Sequence, residues 1–162
     1  MMNLEMALHF FGGSQGQIEQ LVEGVPEARW AEQPGGIRNH PAWTIGHLCC
    51  GYHMTLSLLG RESGVPEAWL ETMDIGTIPV ADRGAYPTKD ELLEAYRDGH
   101  AKLAAAAKAM TQEESERELP MEEFRSFFPT IGHVVVYILL SHDQNHLGQL
   151  VAWKRAAGLS EG

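Results

Sequence analysis

Two histidines four residues apart, His142 and His146 in SHDQNHLGQL, are the residues best suited to chemistry. Positions four apart differ by only about 40° around an α-helix, so both imidazoles would project from one face, one turn apart. Neutral imidazoles in this geometry are a common pair of ligands for a zinc-like ion. The same spacing also arises by chance on many helices, so two ordinary helical histidines are the alternative.

A metal site needs a third ligand, and the residues after His146 offer no histidine and one side-chain carboxylate, Glu161. A zincin-type peptidase would carry glutamate directly after the first histidine, where this chain has the shorter Asp143, so that class fits poorly. The third ligand must therefore come from another helix. His47, in NHPAWTIGHLCCGYH, is the best candidate, although a histidine on such an apolar face is more often an ordinary core residue.

Several neighbouring side chains could support such a site, and each has an ordinary structural alternative. Asp143 lies about 100° from His142 around the helix and is either a base, a group that orients a ligand, or a solvated charge. Cys50, one turn from His47, is a fourth ligand, a reactive thiol, or a small buried hydrophobe. The other candidates, for the pocket or for contacts to the ligands, are His40, Trp43, Asn145 and Gln149.

Four long amphipathic segments would have to position these side chains. Apolar spacing predicts helices over roughly 3–24, 41–59, 88–110 and 130–157. Pro41 suits a first helical turn, TKDE at 88–91 forms a capping box, and Gly60 and Gly158 follow helix ends. The run VVVYI is typical of a strand, but the helical pattern continues for roughly seven turns around it.

Two connections complete the predicted fold. The segment 60–87 is a long connection between helices two and three, with one short helix at PEAWLETM, and 111–129 is a polar, acidic connection. Thr130 is expected to cap the last helix. This arrangement predicts an all-α four-helix bundle, formed by residues 1–162 as one domain.

Composition excludes several classes of function. The net charge is −10 with histidine neutral, and no run rich in Lys or Arg is present, so nucleic acid and anionic membranes are disfavoured partners. No stretch approaches the ~18 apolar residues of a membrane span, and MMNLEMALHFFGG lacks the basic region of a signal peptide. The two cysteines, Cys49 and Cys50, are adjacent and form no disulfide framework, so a reducing cytoplasm is expected.

The chain resembles the DinB/YfiT-like family of metalloenzymes in GHL at 46–48, in the preceding loop QPGGIRNHPAWTI, and in SHDQNHLGQL. The resemblance covers nearly the whole length and includes the order of the elements. It implies a bundle in which His47, His142 and His146 bind a divalent ion, zinc or nickel, with solvent in the open positions. It also implies a homodimer, and some members of the family transfer low-molecular-weight thiols or isomerise thiol adducts.

Three neutral imidazoles would leave an open coordination position, which is the mark of a catalytic metal site. The ion could lower the pKa of a bound water to ~7, or it could bind a thiol cosubstrate as the thiolate. The expected function is a metal-dependent hydrolase or thiol-dependent transferase acting on an unidentified small molecule. The alternative is a non-catalytic, metal-stabilised bundle that binds small molecules or acts as an interaction module.

Overall fold

The computed structural model describes residues 4–159, and the regular elements in that range are helical, beside one isolated β-bridge between Glu118 and Thr130. The all-α prediction is confirmed. No helix within this range is both long and apolar enough to cross a membrane. Position 3, where the first helix is predicted to begin, and Glu161 lie outside the described residues. The helices are α1 (Leu4–Glu23), α2 (Pro41–Leu58), α3 (Glu67–Met73), α4 (Lys89–Ala109), α5 (Gln112–Glu116), α6 (Ile131–Tyr137) and α7 (Asp143–Ala156).

Helix α1 forms although three glycines lie within it, because its buried residues recur every three or four positions. Phe11, Ser14, Ile18 and Val22 form this stripe, and α1 packs against α7 and α4. Burial of an apolar stripe outweighs the weak helical preference of glycine, which amounts to about 1 kcal/mol for each residue.

Helix α2 is the central helix of the fold. Pro41 occupies its first turn, and the His40 side chain caps it by accepting a hydrogen bond from the backbone N–H of Trp43 at 3.2 Å. Its sides are buried nearly all round, because it packs along α4 and also contacts α3, α6 and α7. A helix buried on all sides is held rigidly, which suits a residue that must keep its position, such as His47.

The last long helical segment is not the regular helix that its apolar spacing predicts. Helix α6 runs into α7 through a π turn at Ile138–His142. The helical interpretation of VVVYI is confirmed, since this run lies in α6 and at the start of the π turn. Thr130 is the N-cap residue of α6, as predicted, but its hydroxyl makes no capping bond to the backbone and pairs instead with Nδ1 of His133 at 2.9 Å.

The connection 60–87 contains the short helix that is predicted for it, whereas the connection 111–129 is more structured than predicted. Helix α3 lies where PEAWLETM predicts a short helix. The segment 111–129, expected to be a polar connection, contains α5 and a 3-10 turn at Glu122–Phe124. Helix α5 begins with a capping box between Thr111 and Glu114, the same motif that starts α4.

Candidate metal centre

Three imidazoles converge between α2 and the α6–α7 segment. His47 comes from α2, His142 from the end of the π turn, and His146 from the first turn of α7. One nitrogen from each ring lies within 4.8 Å of the others, and the Nε2 atoms of His47 and His142 are 3.3 Å apart. Two nitrogens that each lie about 2.0–2.1 Å from a tetrahedral zinc ion are separated by about 3.3 Å, so this spacing suits a shared ion.

Hydrogen bonds at the outer nitrogens orient two of the three rings. Nδ1–H of His47 donates to the backbone carbonyl of Met73 at 3.0 Å. Because a carbonyl only accepts, this bond puts the proton on Nδ1 and leaves a lone pair on Nε2. Nδ1–H of His146 donates in the same way to Oε1 of Gln149 at 3.1 Å. Such partners of the ligands fix the tautomer and the ring orientation at metal sites.

His142 has no comparable partner, and the direction of its ring towards His47 suits a cation between the two rings. Its Nδ1 is buried without a hydrogen bond among the described residues, while its Nε2 faces Nε2 of His47. If the proton sits on Nδ1, two lone pairs oppose each other across 3.3 Å. If the proton sits on Nε2, the buried Nδ1 is a hydrogen-bond acceptor without a donor, and leaving it unpaired destabilises the folded state. An ion between the rings would remove the opposition of the lone pairs.

The imidazoles are held in the neutral form that a metal ligand requires. Burial lowers the pKa of His142 to about 3, with further lowering from His146 and His47. Burial, followed by repulsion from His47, lowers the pKa of His146 to about 4. Burial also lowers the pKa of His47, while the bond to Met73 and the charge of Asp74 act in the opposite direction. Protons therefore do not compete for these nitrogens near pH 7.

The segment 73–80 lies across the first half of α2 and holds it at several points. Besides the bond from His47 to the carbonyl of Met73, Nε1–H of Trp43 donates to Thr77 at 2.9 Å. Nε2–H of His40 donates to the carbonyl of Val80 at 3.0 Å. The three side chains that bond this segment, one from the N-cap of α2 and two from the helix itself, follow each other at three- and four-residue spacing on one face.

The three histidines line a cavity of about 230 Å³. Its other walls are mainly apolar and aromatic, and they come from α6, the π turn and the segment 119–128. Asp74 contributes the only carboxylate among the described residues that line the cavity. Typical wall residues are Leu119, Met121, Phe124, Phe128, Val134 and Ile138.

Two of the other predicted site residues contact the histidines. The Trp43 ring stacks on His47, with centroids 4.6 Å apart and planes 7° from parallel. Gln149 orients His146 and itself accepts a hydrogen bond from Asn39 at 2.8 Å. Asn145 is exposed on the surface of α7.

Two further predicted residues lie near the histidines without joining them. His40 is fully buried and caps α2, and it does not line the cavity. The Cys50 thiol points to the carbonyl of Trp69 at 3.8 Å and is not part of the histidine group. Burial, with a contribution from Asp74, raises the pKa of Cys50 to about 12, so the thiol stays protonated at neutral pH.

Asp143 follows His142 in the chain but turns towards the core. It is 1% exposed, and its Oδ2 accepts hydrogen bonds from the hydroxyls of Tyr52 at 2.7 Å, Tyr96 at 3.0 Å and Ser14 at 3.5 Å. Burial raises its pKa to about 6, although these hydrogen bonds act in the opposite direction. The alternative that Asp143 is a solvated charge is wrong, because the helix directs this side chain between α1, α2 and α4.

Several features of the site are missing from the sequence prediction. Asp74 and the carbonyl of Met73 lie in the predicted long connection, which has no periodicity that would reveal their direction. The cavity walls at Phe124 and Phe128 lie in the connection expected to be polar. The cluster FRSFF is a usable signal, because large apolar side chains in a polar segment often pack against a surface. Phe124 and Phe128 do so at the cavity, whereas Phe127 is exposed.

Comparison with known proteins supports an assignment at the level of the family. No curated protein and no solved structure gives a significant match to the chain. A family model matches residues 11–150, a range that contains His47, His142 and His146 and all the described residues that line the cavity. The chain belongs to the DinB superfamily.

Proposed function

We propose that this protein is a metal-dependent enzyme in which His47, His142 and His146 hold a divalent transition-metal ion, zinc or nickel. The observation that carries the proposal is the convergence of three neutral imidazoles on the wall of a cavity. Among the described residues no fourth His, Cys, Asp or Glu joins the group, so coordination positions on the cavity side would remain open. Open positions are typical of catalytic sites, whereas structural zinc sites are closed by four protein ligands.

The chain's own groups would prepare this chemistry. A bound ion supplies a Lewis acid that activates a water or holds a thiol as its thiolate. The Met73 carbonyl and Gln149 keep protons on the outer nitrogens of His47 and His146, so that both inner nitrogens face the ion. The largely apolar walls make the surroundings of a bound group less polar than water, which strengthens electrostatic interactions there. The reaction type we propose is hydrolysis or thiol-dependent transfer on a small molecule.

We also propose that α1, α2, α4 and the α6–α7 segment act as a four-helix bundle, with 59–88 as its long connection. The pairing of α2 with α4 and of α1 with α7 supports this scaffold. In such bundles, metal sites are built from side chains on facing helices. The cytoplasmic location and the homodimer stay predictions.

The proposal is tested by elemental analysis of the purified protein beside single histidine variants. We expect about one equivalent of a transition metal in the wild type and its loss in His47→Ala and His142→Ala. His133→Ala is the matched control, because His133 is an exposed histidine on α6. Circular dichroism checks that each variant keeps its helices. A wild-type protein that neither carries nor takes up zinc or nickel would end the proposal.

A non-catalytic metal-stabilised binding module is the second candidate. It is favoured by the direction of Asp143, which contacts Tyr52 and Tyr96 and so leaves Asp74 as the only carboxylate of the described cavity lining. The candidates are separated by screening the metal-loaded protein against esters, amides and electrophiles with thiol cosubstrates. Turnover that disappears in His142→Ala supports the enzyme, whereas ligand binding without turnover supports the module.

A further inference from the structure

We infer that the cavity selects small molecules that combine an apolar body, a metal-binding atom and a positively charged nitrogen, with Asp74 as the residue that recognises the nitrogen. The inference rests on the proposed metal site, because that site would bind the other end of the molecule. The proposed function names a small molecule without specifying its charge, and Asp74 would select a positively charged one.

The first support is the isolated charge of Asp74. Its Oδ1 accepts a hydrogen bond from the backbone N–H of Ile75 at 2.7 Å, which orients the carboxylate. None of the ion pairs among the described residues includes Asp74, and no lysine or arginine of the described chain lines the cavity. A partly buried carboxylate without a cationic partner favours a ligand that brings the positive charge.

The second support is the character of the walls, which is independent of Asp74. Phe124, Phe128 and Tyr137 line the same cavity. Aromatic rings carry negative charge on their faces and attract ammonium groups, more strongly where water is excluded. The same rings provide the surface on which an apolar body packs. Carboxylate and rings thus favour one class of ligand and disfavour molecules with several negative charges.

The third support is the position of Asp74 next to the ligand-bearing segment. It directly follows Met73, whose carbonyl orients His47, and its charge acts on the His47 imidazole. A molecule that reaches both the histidines and Asp74 can therefore be short. A thiol whose sulfur binds the ion as a thiolate and whose body carries a primary amine provides one group for the metal and one for Asp74.

The experiment uses the zinc-loaded protein and three phenylmethanethiols with the same skeleton. One carries an aminomethyl group at the para position, the second a hydroxymethyl group and the third a carboxylate. Calorimetry measures the affinities, and the absorption of the cobalt-substituted protein reports sulfur coordination. We expect the amine to bind about tenfold more tightly than the alcohol, and the carboxylate to bind least tightly. High salt should reduce the preference for the amine.

The decisive variant is Asp74→Asn, which keeps an oxygen for the N–H of Ile75 and removes the charge. We expect the amine and the alcohol to bind this variant equally, and Asp74→Glu to keep the preference. Asp82→Asn is the matched control, because Asp82 also accepts a backbone N–H, from Gly84 at 2.9 Å, but does not line the cavity.

Two outcomes would overturn the inference: a preference for the amine that survives in Asp74→Asn, or carboxylate binding in the wild type as tight as amine binding. Failure of the proposed metal site can be distinguished from failure of the role of Asp74, because zinc uptake is measured before any thiol is added. A protein that binds zinc normally and shows no charge preference contradicts only the role of Asp74.

Discussion

Gly51 faces the imidazole of His142 so closely that a Cβ atom at Gly51 would lie 2.8 Å from Cε1 and 3.2 Å from Nδ1 of that ring. The position of a proposed metal ligand on the last helical segment therefore depends on the absence of a side chain on α2. We expect Gly51→Ala to displace His142, to weaken zinc binding and to destabilise the fold by about 1–3 kcal/mol through overpacking.

Metal titration and thermal unfolding of Gly51→Ala measure these effects. Gly148→Ala is the matched control, since Gly148 also lies in a helix, close to His146, and an added Cβ there meets no atom within 4 Å. This control should bind zinc as the wild type does and unfold at the same or a higher temperature, because alanine favours the helix. Unchanged zinc affinity in Gly51→Ala would show that His142 is not held by this contact.

Gln149 should act on the metal through His146. Removing its side chain in Gln149→Ala leaves Nδ1 of His146 without its acceptor, so we expect zinc affinity to fall by about 10–100-fold. The fold should change little, because Gln149 is exposed. Competition with a chromophoric chelator measures the affinity. Asn145→Ala changes another exposed residue of α7, four residues away, and should keep the wild-type affinity. An equal loss of affinity in both variants would contradict an orienting role of Gln149.

Asp143 should contribute to stability and not to the metal site. We expect Asp143→Ala to lower the free energy of unfolding by about 1–3 kcal/mol, because the buried hydroxyls of Tyr52 and Tyr96 would lose their acceptor. Asp143→Asn keeps an acceptor of the same shape and should be less destabilising. Urea denaturation measures both variants. Normal stability of Asp143→Ala together with a loss of metal would instead favour a role of Asp143 at the site.

His40 should make the stability of the fold depend on pH. Burial lowers its pKa to about 4, whereas an unfolded histidine titrates near 6.5. The unfolded chain therefore takes up the proton first, and the contribution of neutral His40 is complete above about pH 6.5 and is lost as the pH falls towards 4.

The variant His40→Asn keeps a side-chain acceptor for the N–H of Trp43 but does not titrate. We expect its free energy of unfolding to fall less steeply between pH 6.5 and pH 4 than that of the wild type, in protein treated with a chelator. Denaturant titrations at several pH values give the slopes. Parallel slopes for the two proteins would show that His40 does not titrate in this range.

The helices with strong local signals could be predicted from the sequence to within a residue or two. Helices α2 and α4 begin and end close to their predicted limits, because a first-turn proline and a capping box mark their starts. Helix α5 shows the same capping box in TQEE and could have been found by the same reasoning. The π turn could not, because its residues are apolar in a pattern that also suits a regular helix.

The three histidines could be proposed from type, spacing and resemblance, but their surroundings could not. The orientation of His47 depends on a backbone carbonyl, and any residue type at Met73 would supply one. Asp74 faces the cavity because of the path that the connection after α3 takes. An irregular path of this kind leaves no periodic pattern in the sequence. The direction of Asp143 is set by two tyrosines on α2 and α4, so it follows from packing between helices that are distant in sequence.

The π turn at Ile138–His142 sets the direction in which His142 and His146 project relative to α6. Val134, Ile138, His142 and His146 follow at four-residue steps and all line the cavity. In a regular helix each step advances by about 40°, so three steps would rotate the row by about 120°. The wider π turn spans the middle step and offsets part of that drift, because it contains more residues per turn.

Deleting one residue within the π turn would restore a regular helix and would change the direction of His142 and His146 relative to α6 only a little, because the wider turn absorbs the extra residue. Deleting one residue from the regular turn before it would instead rotate both histidines by about 100° relative to Val134. Two chains with the same three histidines could therefore differ in their ability to hold an ion, depending on where one of them has lost a residue. In this fold, the position of a one-residue gap in an alignment, inside or outside the π turn, bears on the site as directly as the substitution of a ligand.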